Sequence, residues 1–470
     1  MRSKCFLTWV FTAVLASAQI PAGVKPALDH ISANDLKGNV SFLASDLLQG
    51  RATPSPGLDI AGEFVAARLR AAGLEPAGDD GYFQTAHMQQ VEADMTGFKL
   101  EIGDGKDTIK VEPDSAATRT FAAIDLNDVD AVKAGAADRK GKVVFVPSSD
   151  LRNPHFMQDL RKSGAALVVI TGFRPRTGAR LATPEDRTES APIVFVRSDA
   201  VTKMVKNAQS LRVTAHIAAP KEKPITLRNV SAILRGSDPK LKDEYVLVTA
   251  HYDHIGVKAD GQGDRIYNGA NDDASGTASM IEVASALNGL DKKPRRSIVF
   301  VAFFGEEEGL IGSKWYGRHP IVPLAKTVAG INLEHMGRTD DPTGPKLNDA
   351  TITGFDFSDM PQAFVKAGEL TGIKVYKDEK RSDPYFARSD NQALADSGIP
   401  AHTMCVAFEF PDYHAVGDEW PKINYENMAK VDRMVTLGIW MLAESDKAPA
   451  WNASNPQTKE YITAAAKLRQ

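Results

Sequence analysis

Acidic and imidazole side chains in this sequence gather where apolar runs end. His251, Asp253 and His254 follow directly on the run 245–250, and Glu306, Glu307 and Glu308 follow 297–304. Glu334 and His335 follow 327–333, and His414 lies one loop beyond 401–406. Between the first two runs, Asn268-Gly269-Ala270-Asn271-Asp272-Asp273-Ala274-Ser275-Gly276 is a turn-rich stretch feeding a helix. Two imidazoles (His251, His414) and three carboxylates (Asp272, Glu307, Glu334) form a donor set that suits zinc, which accepts imidazole nitrogen and carboxylate oxygen. Two such ions sharing one carboxylate and one water lie about 3.5 Å apart; together they lower the water's pKa and polarise a carbonyl. Hydrolysis also needs a carboxylate kept free to carry a proton. The adjacent Glu306 and Glu307 supply that division of labour.

Each of these residues also has an ordinary role. Asp272 and Asp273, at a helix start, could be capping acids. Glu306 to Glu308 could be a solvated acidic run, and Glu334-His335 an ion pair. His254 and His335 compete with the two chosen histidines for ligand duty. Tyr413, beside His414, could donate to an oxyanion or simply pack. Position is what unites the set. In an open α/β sheet, ligands gather at the carboxyl ends of strands, so separate strands would deliver these side chains to one place.

The elements that must do this positioning are legible too. The runs 245–250, 297–304, 327–333 and 401–406 read as apolar strands, with 276–287 as a helix between the first two. Such alternation predicts an α/β fold with a mixed, mostly parallel sheet flanked by helices. Upstream, 27–83 reads as helical: Ser32 and Asp35 suit a cap, and Ile60, Phe64, Val65 and Leu69 recur at helical spacing before Gly73. Residues 95–224 change character, with short β-rich runs at 142–147, 165–171 and 192–196 split by polar turns. They carry no ligand-like cluster and read as an inserted β-rich domain. The chemistry-bearing domain is then 19–94 with 225–470.

A chain of 470 residues exceeds one ordinary core. The net charge of -4 calls for neither nucleic acid nor an anionic membrane as partner. Arg2 and Lys4 precede an apolar run reaching Leu15, and Ala16-Ser17-Ala18 has the small-x-small form of a cleavage site. Residues 1–18 therefore read as a signal peptide. The run is shorter than the roughly 20 helical residues a bilayer requires, so the expectation is export to periplasm or medium without stable membrane insertion. Loss of Cys5 with the leader would leave Cys405, flanked by Met404, Val406 and Ala407, as a lone thiol expected inside a buried strand.

Five segments carry a specific resemblance. Ala250-His251-Tyr252-Asp253, Gly269 to Gly276, Gly305-Glu306-Glu307-Glu308-Gly309-Leu310-Ile311-Gly312-Ser313, Ile331-Asn332-Leu333-Glu334 and Asp412-Tyr413-His414 resemble the five blocks of the M28 family of zinc metallopeptidases. The likeness runs over about 229–442. Residues 27–83 resemble the helical lead-in of secreted bacterial members, and the insert resembles a protease-associated (PA) domain. The resemblance implies a zinc-exopeptidase-like fold with two zinc ions. His251 and Glu334 would bind one zinc, Glu307 and His414 the other, and Asp272, three residues before Ser275, would bridge them. Glu306 would be general base and acid, and Asp253 would orient His251 and raise its basicity. Glu334 stands where the family often has Asp, and Ser389-Asp390-Asn391 where many members have Ser-Asp-His. The implied activity is a secreted aminopeptidase acting on peptides. The alternatives are a carboxypeptidase or dipeptidase, which would need cations such as Arg338, Arg381 or Arg388, a one-zinc glutaminyl-cyclase-like acyltransferase, and a binding protein that has kept the fold.

Overall fold

The computed structural model describes residues 19–152, 160, 163–173, 178–189 and 191–470, so the leader read at 1–18 lies outside the described residues. The chain divides into two compact units: Met1–Ala86 with Arg228–Gln470, and His87–Leu227. The second unit is wider at both ends than the 95–224 expected from sequence. Its limits fall inside unbroken strands, β1 (Phe83–Glu92) and β2 (Lys221–Leu234), where no turn or change of composition marks a boundary.

The first unit opens with three helices, α1 (Lys25–His30), α2 (Ala33–Leu43) and α3 (Pro56–Ala71). Ser32 caps α2 as expected, its hydroxyl oxygen accepting the Asp35 N–H at 3.3 Å. The sheet then takes β3 (Tyr245–His251), β4 (Ser297–Phe303), β5 (Thr327–Leu333), β6 (Asp349–Ile352), β7 (Lys374–Tyr376) and β8 (Ala401–Cys405). Its order is β7–β6–β8–β5–β3–β4–β2–β1. The central strands β8, β5, β3 and β4 are mutually parallel, while β2 and β6 pair antiparallel with β4 and β8. The fold is thus the mixed α/β arrangement expected.

Every residue of β3, β4 and β5 is buried. A strand covered on both faces must be apolar throughout, which is why these strands read as continuous apolar runs. Leu247, Val299, Val301 and Phe303 pack with Tyr316 of α5 (Ile311–Arg318) and Leu394 of α7 (Asn391–Asp396), with α6 (Pro361–Thr371) between these helices in the chain. The helices α4 (Gly276–Asn288) and α8 (Tyr425–Glu444) also pack on β3. Each fully buried Val, Leu or Phe contributes roughly 1.5–3 kcal/mol relative to exposure. Register matters more for function. His251 lies opposite Phe303, Thr249 opposite Asn332 and Leu333 opposite Met404, so the carboxyl ends of four strands finish level with one another.

The second unit holds an eight-stranded sheet. Val143–Pro147, Leu167–Thr171 and Ile193–Val196, the three runs read from sequence, lie side by side and parallel. Val143, Phe145 and Val169 belong to one apolar cluster and Val144, Val146 and Ile170 to another, so both faces of these strands are covered. Among the described residues, no helix of the chain is long and apolar enough to cross a membrane.

Candidate metal centre

His251 is the last residue of β3, and Glu334 immediately follows β5. Glu306 and Glu307 follow β4 after a turn at Phe304 and Gly305, and His414 sits in the loop after β8. The β3 strand extends one residue beyond the run read from sequence, through His251 itself, because His251 still pairs with Phe303.

The loop between Asn268 and Gly276 approaches this strand edge very closely. A Cβ on Gly269, at φ +57°, would lie 2.3 Å from the Asp272 carbonyl oxygen and 2.6 Å from the His254 ring. One on Gly276 would lie 2.0 Å from the Leu333 carbonyl oxygen. The peptide bond between Asp272 and Asp273 is cis. The two aspartates divide their duties. Asp273 accepts the backbone N–H of His251 at 3.2 Å and of Gly276 at 3.0 Å, tying the loop to β3 and capping α4. Asp272 turns its carboxylate to the histidines instead.

Residues that no motif singled out hold this loop in place. Asp418 accepts the N–H groups of Asn271 and Asp272, and burial pushes its carboxyl up to about 6. Asn271 Oδ1 accepts from the backbone of Gly337 and Arg338, while Ser275 Oγ donates to the Asn271 carbonyl at 2.7 Å. Arg51 is fully buried and donates to the carbonyls of Leu43, Tyr252, Asn268 and Gly269, joining the helical lead-in to both ligand-bearing segments. Burial lowers its guanidinium pKa to about 10. Sequence offered no signal for Arg51, because its partners are backbone carbonyls more than 200 residues away, apart from Leu43.

At the centre, Asp272 Oδ1 lies 3.3 Å from His251 Nε2, and Asp272 Oδ2 lies 3.2 Å from His414 Nε2. His414 Nε2 is also 3.3 Å from Glu307 Oε2. With Zn–N and Zn–O bonds of about 2.0–2.2 Å, two ligands of one tetrahedral zinc stand about 3.3–3.5 Å apart. These three separations come close to that spacing. Atoms of His251, Asp272 and Glu334 also fall within 4.8 Å of one another, as do atoms of His254, Asp272 and Glu307. His254 converges on the same carboxylates as His414, with different spacing. Its Nδ1 is 2.7 Å from Glu307 Oε1 and 3.9 Å from Asp272 Oδ2, so it stands beside His414 as a second imidazole able to face a cation held by those carboxylates. His335 donates from Nδ1 to the Phe408 carbonyl at 3.2 Å and leaves Nε2 3.6 Å from Asp272.

Asp253 backs the site. It accepts from Thr53 Oγ1 at 3.1 Å and from the Glu306 N–H at 3.1 Å, and its Oδ1 is 3.4 Å from His251 Nδ1. Tyr413 stacks on His414 with ring centroids 4.0 Å apart, so it packs against that imidazole while also lining the cleft. His335 and His414 both adopt φ of +53°, left-handed backbone that survives only where surrounding contacts dictate it.

Charge is concentrated here. Burial raises the Glu306 carboxyl well above the usual range, with the like charges of Glu334, Asp390 and Glu307 adding to it and His251 opposing. Burial would also raise Glu307, but His254 and His414 outweigh it and bring it to about 2. Asp272 is likewise held well below the usual range by His251, His335 and His414 against burial. Burial lowers the affinity of His414 for its proton, yet Asp272 and Glu307 lift it to about 10. Asp390 is fully buried, and burial pushes its carboxyl up to about 7. Both ring nitrogens of His251 and His254, and Nε2 of His335, are buried without a hydrogen-bond partner. Buried, unsatisfied imidazole nitrogen facing carboxylate oxygen fits zinc in donor chemistry and spacing. Cys405 ends β8, and burial raises its thiol well above its ordinary value, as expected for a strand residue rather than a nucleophile.

Residues 229–438 match peptidase family M28. Among characterised proteins, aminopeptidase YwaD of Bacillus subtilis (strain 168) is 24% identical over 319 residues, covering 67% of this chain and 65% of that protein. A probable zinc metalloprotease of Pyrenophora teres f. teres (strain 0-1) is 38% identical over 131 residues, 27% of this chain and 25% of its own length. The chain thus spans less than two thirds of the length of either relative. Among solved structures, an aminopeptidase from Aneurinibacillus sp. strain AM-1 aligns with a TM-score of 0.59 at 20% identity, covering 91% of this chain and 97% of that one. BSAP, a zinc aminopeptidase from Bacillus subtilis, aligns with a TM-score of 0.51 at 19% identity, covering 89% and 96%. These structures share the fold.

Proposed function

We propose that this protein, whose residues 229–438 match peptidase family M28, is an exported aminopeptidase that holds two zinc ions and removes N-terminal residues from peptides. The observation that carries the reading is the split carboxylate of Asp272, one oxygen toward His251 and the other toward His414. A carboxylate so divided is the part that a bridged pair of cations needs and that a helix cap does not. His251 and Glu334 would hold one zinc, Glu307 and His414 the other. When bound, zinc supplies a Lewis acid for the scissile carbonyl and lowers the pKa of water.

The chain's own residues do the remaining work. Glu306 takes the proton from the attacking water and delivers it to the leaving nitrogen, its carboxyl raised above the usual range by burial and so better able to hold that proton. Asp253 sets the orientation of His251 and of the Glu306 backbone together. His254, with Nδ1 2.7 Å from Glu307 Oε1, holds that carboxylate electrostatically. Tyr413, on the cleft wall, is placed to hold His414 by stacking.

The carboxypeptidase reading needs free cations for the substrate carboxylate. Two of the three candidates are committed elsewhere: Arg338 to Asp340 and Asp412, Arg381 to Asp341 and Asp378. A one-zinc cyclase would not need Glu307, His414 and Asp272 converging on a second cation. Export is supported by the charged, apolar and small-residue sequence of 1–18.

The test is hydrolysis of aminoacyl-anilides beside N-blocked peptides with free carboxyl ends, with zinc counted on the same sample. Release from the free-amine substrates, lost with chelator and restored by zinc at two ions per chain, is the expected result. Cleavage of the blocked peptides alone would overturn the aminopeptidase reading in favour of a carboxypeptidase.

A further inference from the structure

The three arginines near the site in sequence have different surroundings. Arg338 is buried and donates to Asp340 at 2.8 and 2.6 Å and to Asp412 at 2.8 Å. Arg381 donates to Asp341 at 2.9 and 3.1 Å and to Asp378 at 3.1 and 2.8 Å. Their charges are spent. Arg388 is exposed and, among the described residues, is engaged by no ion pair. Its guanidinium carbon lies 4.2 Å from the centroid of the Tyr385 ring, and both residues line the same cleft as Asp272, Glu306, Glu334 and His414. The acid beside them, Glu409, has one carboxylate oxygen already taken by the Tyr385 hydroxyl.

We propose that Arg388 binds a carboxylate of the substrate, so that short peptides presenting a free carboxylate just beyond the scissile bond are preferred. This rests on the peptidase reading above. A guanidinium is planar and presents paired N–H donors that match a carboxylate, and stacking on an aromatic ring restrains it before substrate arrives. The rest of the cleft is acidic, through Asp272, Glu306, Glu334 and Glu409. With Asp272 and Glu334 facing the zinc ions and Glu409 accepting from the Tyr385 hydroxyl, a substrate carboxylate finds its counter-charge on the protein at Arg388, which also fixes the direction in which the peptide lies. The carboxylate has two sources, the C-terminus of a dipeptide or an acidic side chain following the scissile bond.

Three substrates separate them: Leu-Ala, Leu-Ala-amide and Leu-Asp-amide, each assayed with zinc-loaded wild type, Arg388→Ala and Arg388→Lys. Zinc content and thermal midpoint are read on every sample to confirm that each variant folds and loads. The expected result for Arg388→Ala is a fall of about 10-fold or more in the ratio of kcat/KM for Leu-Ala over Leu-Ala-amide. Arg388→Lys recovers part of that ratio by keeping the charge without the fork. A fall in the Leu-Asp-amide to Leu-Ala-amide ratio instead assigns the carboxylate to a side chain. Glu409→Gln, which removes the competing neighbour, raises whichever ratio Arg388 controls. Equal effects on all three substrates, or none, overturn the proposal. Aminoacyl-anilide cleavage by wild type with unchanged ratios is a failure of Arg388 alone, whereas a zinc-loaded wild type silent on every free-amine substrate overturns the peptidase reading and this inference with it.

Discussion

His402 gives the sharpest quantitative handle on this fold, because it is buried with both ring nitrogens engaged. Its Nδ1–H donates to the Thr353 carbonyl at 2.8 Å, which can only accept, so Nε2 is the nitrogen that accepts from the Ser358 hydroxyl at 2.6 Å. That arrangement satisfies a neutral imidazole. Burial accordingly pushes its pKa from the ordinary 6.5 down to about 4. A group depressed on folding adds stability that is complete above its unfolded pKa and is lost as pH falls toward its folded value. The gap from 6.5 to about 4 corresponds to about 3 kcal/mol once pH lies below both, and to about 2 kcal/mol at pH 5. The perturbation is His402→Gln, which removes the titration while keeping a donor and an acceptor. Urea unfolding would be followed by tryptophan fluorescence at about pH 7.5 and about pH 5, with Trp451 6.0 Å from the His402 ring. The rest of the chain is the same in both proteins, so the difference between them isolates His402. Wild type should lose about 2 kcal/mol more than the variant between the two pH values. Equal losses would show that the buried imidazole is not held neutral and would refute the reasoning.

Three further outcomes follow from the site. Glu306→Gln should keep both zinc ions, by elemental analysis, and lower kcat by about 10²–10⁴-fold; near-normal turnover would remove Glu306 from the proton transfer. Asp272→Ala should lose zinc and the stabilisation that zinc confers, about 2.7 kcal/mol at a hundredfold excess over Kd; unchanged zinc content and thermal midpoint would mean that Asp272 is a structural acid. Arg51→Met removes the guanidinium donor from the Leu43, Tyr252, Asn268 and Gly269 carbonyls, of which Gly269 keeps the Ala274 N–H, and should destabilise the first unit by about 3 kcal/mol or more in denaturant unfolding. Wild-type stability in that variant would mean that water replaces the guanidinium.

His251, Glu307 and Glu334 were legible because each stands at or just past the end of an apolar run, and such runs mark parallel strands buried on both faces. Boundaries were less legible. The second unit begins within Phe83–Glu92, where the chain stays extended across the limit and composition does not change. Sequence left the roles of Asp272 and Asp273 to a family spacing, since adjacent aspartates at a helix start are chemically alike. Only the backbone path separates them, turning one to the N–H groups of His251 and Gly276 and the other to two imidazoles. His254 and His414, equivalent in type, approach Glu307 at different distances, 2.7 Å for one and 3.3 Å for the other, a difference that local sequence does not carry.

What the sequence alone determined is the kind of chemistry and the scaffold for it: residue types encode donor atoms, and periodicity encodes which segments must be buried. Tertiary structure decided which donors meet, how the loop carrying Asp272 is clamped by Arg51 and Asp418, and that Arg388 alone of three nearby arginines keeps its charge free among the described residues. Those outcomes depend on strand register and on contacts between residues far apart in the chain, and neither is written in local pattern.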